Sequence, residues 1–146
     1  MVFSADKRAL QVFDIYDFLT KSYWAKGITI DAVKKQIKNS FCVGVYHKKI
    51  QIGFARVVTD YIGFGYLCDV FIIEKYRGKG VSKLLMEYIL NHPELRFIKS
   101  WMLSTKDAHG LYRKYGFKSL EEPQRIMKFV KFKDWQSIKG SVINIT

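Results

Sequence analysis

Cysteine is nearly absent from this 146-residue, 17.1 kDa chain. Only Cys42 and Cys68 occur, each inside an apolar run. Such thiols read as small buried hydrophobes and exclude a disulfide framework or a zinc knuckle. Histidine is sparse too. His47, His92 and His109 are scattered, with no two at metal-ligand spacing, so no metal is expected. No apolar run approaches the ~20 residues of a membrane helix. No apolar h-region opens the chain. A soluble cytoplasmic protein without a membrane partner is therefore expected. Acidic side chains are few, 13 against 25 Lys and Arg, which leaves a net charge of +12. That balance favours an anionic partner, whether nucleic acid, a phosphorylated cofactor or an acidic surface, without choosing among them. Repeats, low-complexity runs and long linkers are missing as well. One domain over 1–146 is expected, with 131–146 as a C-terminal extension.

What is present is material for a core: 49% apolar residues, including 11 Phe, 9 Tyr and 3 Trp. General disorder is excluded. Leu10, Phe13, Tyr16 and Phe18 predict a helix over 10–19. A second follows Gly27, capped by Thr29 or Asp31, with Val33 and Ile37 on one face. The adjacent Tyr23 and Trp24 between them either plug the base of the core or wall a pocket. Apolar runs at 41–46, 50–59 and 66–73 read as an antiparallel meander leading into a central strand. Beyond them we expect a helix over 81–90 stopped by Asn91-His92-Pro93, a strand over 97–103, a short helix over 108–115 and a last strand over 125–130. These elements make a mixed α/β fold: a mostly antiparallel sheet of six or seven strands, with helices on both faces.

The segment Arg77-Gly78-Lys79-Gly80-Val81-Ser82 is the most informative. Two glycines let the backbone turn tightly and approach a ligand closely. The N–H groups of Gly80, Val81 and Ser82 then open onto the start of a helix. The helix dipole and the charges of Arg77 and Lys79 favour an anion such as a pyrophosphate. No Lys-Ser or Lys-Thr pair follows the glycines, and no third glycine does, so this is neither a P-loop nor a dinucleotide fingerprint.

That turn resembles the cofactor signature of the GNAT superfamily, the GCN5-related N-acetyltransferases: Arg or Gln, two residues, Gly, one residue, then Gly or Ala. Arg77 and Gly80 match, while Ser82 departs from the small apolar ending. A second block of the family is similar to residues 105–117, where Ala108, Leu111, Tyr112, Gly116 and Phe117 match and Thr105 stands where Asn is common. The resemblance covers roughly residues 10–130. With Ser22-Tyr23-Trp24-Ala25 near the start and Asp107-Ala108-His109-Gly110-Leu111-Tyr112 near the end, it points to a compact bacterial-type branch.

The resemblance implies a GNAT-like acyl-CoA N-acyltransferase fold, acetyl-CoA as cosubstrate, and transfer of the acetyl group to a primary amine by direct attack in a ternary complex. It places Val70, Phe71 and Ile72 along the pantetheine arm, with a backbone N–H for the thioester oxygen. This requires their strand to splay from the 97–103 strand. The amides of 77–82 would hold the pyrophosphate and Thr105 would contact the CoA arm. Tyr112 is the expected acid, because a phenol with a pKa near ~10 can protonate a leaving thiolate.

Asp69 is the only acidic residue in its apolar run and is costly to bury unless used or paired. It is either the base, directly or through water, or a charge paired with Arg56 on the adjacent strand. Strand parity sets Asp69 opposite to Ile72 and puts Tyr66 on the face of Ile72. Tyr66 falls where histone-acetylating members carry a glutamate. Asp60 and His109 are weaker candidate bases. The acceptor pocket is assigned to Tyr23, Trp24, Arg56, Asp60 and Trp101, whose aromatics suit an apolar or cationic acceptor and whose arginine suits a carboxylate.

Two alternatives stand beside this reading. One is a basic nucleic-acid or ribosome-associated module, although the basic residues form no continuous stripe and the aromatics are embedded in apolar runs. The other is a protein that binds CoA without turnover. The expected acceptor is a small-molecule or peptide amine, and both a monomer and a homodimer are open.

Overall fold

Apolar alternation builds the sheet first. In the computed structural model, which describes residues 1–138, β2 (Phe41–His47) and β3 (Ile50–Thr59) form an antiparallel hairpin. Its two-residue turn, Lys48-Lys49, takes left-handed backbone at both positions, φ 52° and 66°. This geometry matches the twist of the flanking strands. A second antiparallel pairing joins β3 to β4 (Phe64–Ile72). The short β1 (Val2–Ser4) pairs with β2, and β5 (Ser100–Leu103) runs parallel to β4. The sheet order is β1-β2-β3-β4-β5.

The helices bury one face each. In α1 (Val12–Lys21) that face carries Ile15 and Leu19, and in α2 (Ile30–Lys38) it carries Ala32, Val33 and Ile37. Both pack with Cys42, Phe54 and Phe71 on one side of the sheet. Of the two expected caps, Thr29 is the one used, accepting from the Ala32 N–H at 3.2 Å. On the other side, Val81, Leu85, Met86 and Ile89 of α3 (Val81–Asn91) pack against Val43, Val45, Val57 and Leu67. There they meet Tyr112 of α4 (His109–Arg113).

The sheet has five strands among the described residues, fewer than the six or seven expected. Residues 126–130 form no strand and stand exposed. β5 is four residues long because 93–97 instead coil back, with the Leu95 and Arg96 N–H groups bonded to the His92 carbonyl. α4 spans five residues, since Gly116 at φ 93° ends it. Of the expected extension 131–146, residues 139–146 lie outside the described residues. Among the described residues, no helix is long and apolar enough to cross a membrane.

Candidate active site

β4 and β5 pair over only four positions, from Phe64↔Ser100 to Leu67↔Leu103. Beyond Leu67, β4 continues through Ile72 with no β5 partner among the described residues. β5 ends at Leu103, opposite Leu67, which leaves the β5-facing edge of Val70, Phe71 and Ile72 without a strand partner among the described residues. This is an edge on which an extended polar chain can pair as a strand would.

A bulge sets the geometry of that edge. The β3–β4 register slips between Phe54↔Phe71 and Arg56↔Cys68, and Asp69 takes φ 54°. The extra residue flips the alternation of β4. Leu67, Val70 and Ile72 all face the α3 side, while Phe71 faces the α1–α2 side. Simple parity across 66–72 therefore fails. Tyr66, which neighbours Leu67, does not share a face with Ile72. A one-residue bulge leaves no sign in a run of apolar residues.

Asp69 sits at the bulge, buried, with each oxygen engaged. Arg56 Nε donates to Oδ2 at 2.8 Å and Trp24 Nε1 donates to Oδ1 at 2.9 Å. Arg56 Nη1 also donates to Ser40 Oγ at 3.0 Å. Both charged side chains are nearly covered, at 12% and 7% exposure. Trp24 in turn touches Phe18, whose ring stacks on Phe71 at 3.9 Å. Two of the expected acceptor residues, Trp24 and Arg56, thus converge on Asp69, and the expected pairing of Asp69 with Arg56 is present. Ser40 and Phe18 join them unanticipated. A serine ahead of an apolar run, or an aromatic within a helix stripe, carries no signal of what it will touch.

Two expected acceptor residues lie elsewhere. Asp60 builds the β3–β4 turn: its Oδ1 accepts from the N–H groups of Ile62, Gly63 and Phe64, and these bonds hold its carboxyl below the usual range. The turn is at the opposite end of β4 from Ile72. Trp101 packs on Gly65, where a Cβ would meet its ring at 3.0 Å, and joins the α3-side core. Tyr23 is exposed, with Lys106 Nζ 5.3 Å over its ring.

The glycine turn forms as its residues demand. Gly78 and Gly80 have φ 74° and 79°, and an added Cβ at either would meet nothing within 4 Å. Their need is conformational, and the space beside them is open. Gly80 caps α3 without any side-chain cap bond, so the first-turn N–H groups of Val81, Ser82 and Lys83 face outward. Arg77 does not point at that space: its Nε donates to the Ile72 carbonyl at 2.8 Å and ties the turn to the end of β4. Lys79 remains over the Tyr76 ring at 5.7 Å. Tyr115 donates to the Lys83 carbonyl at 3.0 Å and fixes α4 to α3.

Tyr112 is buried in the α3-side core, edge-on to Phe117 at 5.9 Å. Burial pushes its phenol above the ordinary value, and the neighbouring Tyr23 adds to the rise. Thr105 Oγ1 accepts from the Ala108 N–H at 3.0 Å. His109, at the exposed start of α4, lines the groove beside β5. Among the described residues no cluster of three acidic, His or Cys groups suits a metal.

Burial also pushes the Cys42 and Cys68 thiols up to about 11. At pH 8 roughly one part in a thousand is thiolate. Iodoacetamide is expected to label the folded protein on the order of 100-fold more slowly than free cysteine. Mass spectrometry of the alkylated protein checks this, with the denatured chain as control.

Comparison with known proteins gives a consistent picture. The model of the acetyltransferase (GNAT) domain matches residues 6–137. A protein of Gibberella zeae, FG08082, assigned by name to the acetyltransferases, is 29% identical over 82% of this chain and 80% of its own. A crystal structure of a GNAT-family protein from Xanthomonas campestris pv. campestris superposes with a TM-score of 0.85 at 39% identity, over 88% of this chain and 92% of that one. A GNAT structure from Elizabethkingia anophelis with acetyl-CoA bound shares the fold at 13% identity, with a TM-score of 0.63 over 90% and 88% of the two chains.

Proposed function

We propose, because the chain belongs to the acetyltransferase (GNAT) family, that it transfers an acetyl group from acetyl-CoA to a primary amine of a small-molecule or peptide acceptor. The observation that carries the reading is the β4 edge left unpaired beyond Leu67 together with the glycine-capped start of α3, whose first-turn N–H groups have no side-chain cap. One end of this cleft suits a pyrophosphate, and its edge suits an amide-bearing arm. The acetyl-CoA held by the Elizabethkingia anophelis structure supports the same choice of donor.

The chemistry asks little of the protein. The amine nitrogen attacks the thioester carbon, an N–C bond forms, the C–S bond breaks, the nitrogen gives up a proton to water in the cleft, and the thiolate takes a proton. In our reading, Tyr112 donates that proton, and a backbone N–H within Val70–Ile72 holds the thioester oxygen. The amides of Gly80, Val81 and Ser82, with Lys79, hold the pyrophosphate, and Gly78 gives the turn its shape. Arg77 acts through its bond to Ile72, keeping turn and strand in register. Thr105 shapes α4 and keeps its hydroxyl proton to donate to the CoA arm. Trp24, Tyr23 and Arg56 line the acceptor side. The engagement of both Asp69 oxygens supports the paired reading of that residue, a positioning group at the bulge that carries an acceptor-side wall. As the base it would have to take the amine proton through water.

Titration calorimetry with acetyl-CoA, and CoA as comparison, tests the donor site. Saturation at one molecule per chain is expected. Gly80→Ala must hold a positive φ at a cost of about 1–2 kcal/mol, and it is expected to weaken binding about tenfold by moving the first-turn amides. Lys79→Ala, which leaves the backbone alone, is expected to weaken it less and more so at low salt. Absence of binding by folded protein would refute the assignment. Binding with no turnover over a broad amine panel would instead favour a CoA-binding protein without catalysis.

A further inference from the structure

Two connections from distant parts of the chain meet beside Tyr112. One joins α1 to α2, and there Tyr23 and Trp24 stand edge to face at 5.2 Å. Asp69 accepts from Trp24 Nε1, which gives the aromatic pair a fixed base. The other connection, 104–108, joins β5 to α4. Thr105 Oγ1 accepts from the Ala108 N–H at 3.0 Å and folds this connection onto the start of α4. Thr105 also lines the groove that Tyr112 lines.

Lys106 bridges the two. Its Nζ lies 5.3 Å over the Tyr23 ring. Among the described residues its ammonium has no anionic partner. An aromatic face holds an ammonium by its quadrupole, without a carboxylate to lock it in place. Lys106 and Tyr23 are both exposed and the four-carbon stem is flexible, so Nζ can leave the ring. Tyr23 in turn stands near enough to Tyr112 for the charge of one phenol to bear on the other. The Lys106 amine is therefore one ring away from the group we assign as proton donor.

The other lysines that lie over rings are placed differently. Lys75 and Lys79 lie over Tyr76 beside the glycine turn, and Lys131 lies over its neighbour Phe132.

We propose, resting on the acetyl-transfer reading, that Lys106 is a site of self-acetylation, its Nζ taking the acetyl group from acetyl-CoA bound by the same chain. The ammonium first loses a proton to water. Its nitrogen attacks the thioester carbon, an N–C bond forms and the C–S bond breaks. A second proton leaves the nitrogen for water. The CoA thiolate takes a proton from Tyr112, which regains one from solvent. The products are an Nε-acetyl-lysine and free CoA. A tethered amine has the advantage over amines in solution, because its approach costs little further translational entropy.

The full chain is incubated with acetyl-CoA and no added amine, and each lysine is read over time by peptide mass spectrometry. Lys34, exposed on α2, reports uncatalysed acetylation. Lys106 is expected to gain one acetyl group about tenfold faster than Lys34 or more. Its half-time should not change when the protein is diluted, as transfer within one chain requires. Gly80→Ala should slow Lys106 at low acetyl-CoA about as much as it weakens binding, and leave Lys34 unchanged. In Lys106→Arg the fast acetylation should vanish while calorimetry still shows acetyl-CoA bound. A Lys106 modified no faster than Lys34, a half-time that lengthens on dilution, or a rate indifferent to Gly80→Ala would overturn the proposal. Lys106 left unmodified while the same protein acetylates an added amine would overturn it and leave the acetyl-transfer reading standing. Failure of the folded chain to bind acetyl-CoA would remove both.

Discussion

Replacing Arg56 with alanine is expected to cost about 3–5 kcal/mol of folding stability, because it leaves the Asp69 carboxylate buried without its cation. Asp69 is 8% exposed, and Trp24 Nε1 alone cannot replace a guanidinium at 2.8 Å. Against a typical total of about 5–15 kcal/mol, such a loss brings the protein close to unfolding at room temperature. Urea denaturation followed by tryptophan fluorescence checks the size. Removing both charges by Arg56→Met with Asp69→Asn should recover much of the loss, since a neutral pair carries no unpaired buried charge. Asparagine tolerates the left-handed backbone at this position and still accepts from Trp24. A double variant no more stable than Arg56→Ala would mean that the charge pair is not what holds the bulge.

Tyr112→Phe is expected to lower kcat on the order of 100-fold at nearly unchanged KM for acetyl-CoA, the signature of a lost proton donor. The ring stays, so its packing against Phe117 stays. An unchanged kcat would reduce Tyr112 to a packing residue. The pH profile adds a sign. An acid works while protonated, and burial holds this phenol above its ordinary value. The alkaline loss of kcat due to Tyr112 should therefore fall at higher pH than an ordinary phenol would give. Stability follows the same direction: the contribution is complete below the unfolded-state value and is lost as pH rises through the higher folded-state value.

The order of elements was legible because period and punctuation are local properties. The meander from Phe41, the glycine turn at 77–80 and the helix after it could all be read from spacing. The family blocks around Arg77 and Tyr112 point to the donor half we propose for the same reason: a phosphate cradle and an adjoining helix are built from consecutive residues. The cluster we propose to wall the acceptor side was not legible as a group. Trp24, Ser40, Arg56 and Asp69 come from four separate segments, and only sheet pairing and the α1–α2 connection bring them together. Asp60 and Trp101 were plausible by type, yet a turn and a sheet face claimed them. The bulge at Asp69 decided which side each β4 residue faces, and it arises from pairing against β3. The last strand shows the same division. The run 125–130 has the composition of a strand, but a strand needs a partner edge, and composition does not say where that edge is. The sequence by itself determined local periodicity, charge and the donor signature. The tertiary structure decided where the β4–β5 pairing stops, the buried ion pair and the unpaired edge, because each depends on contacts between residues far apart in the chain.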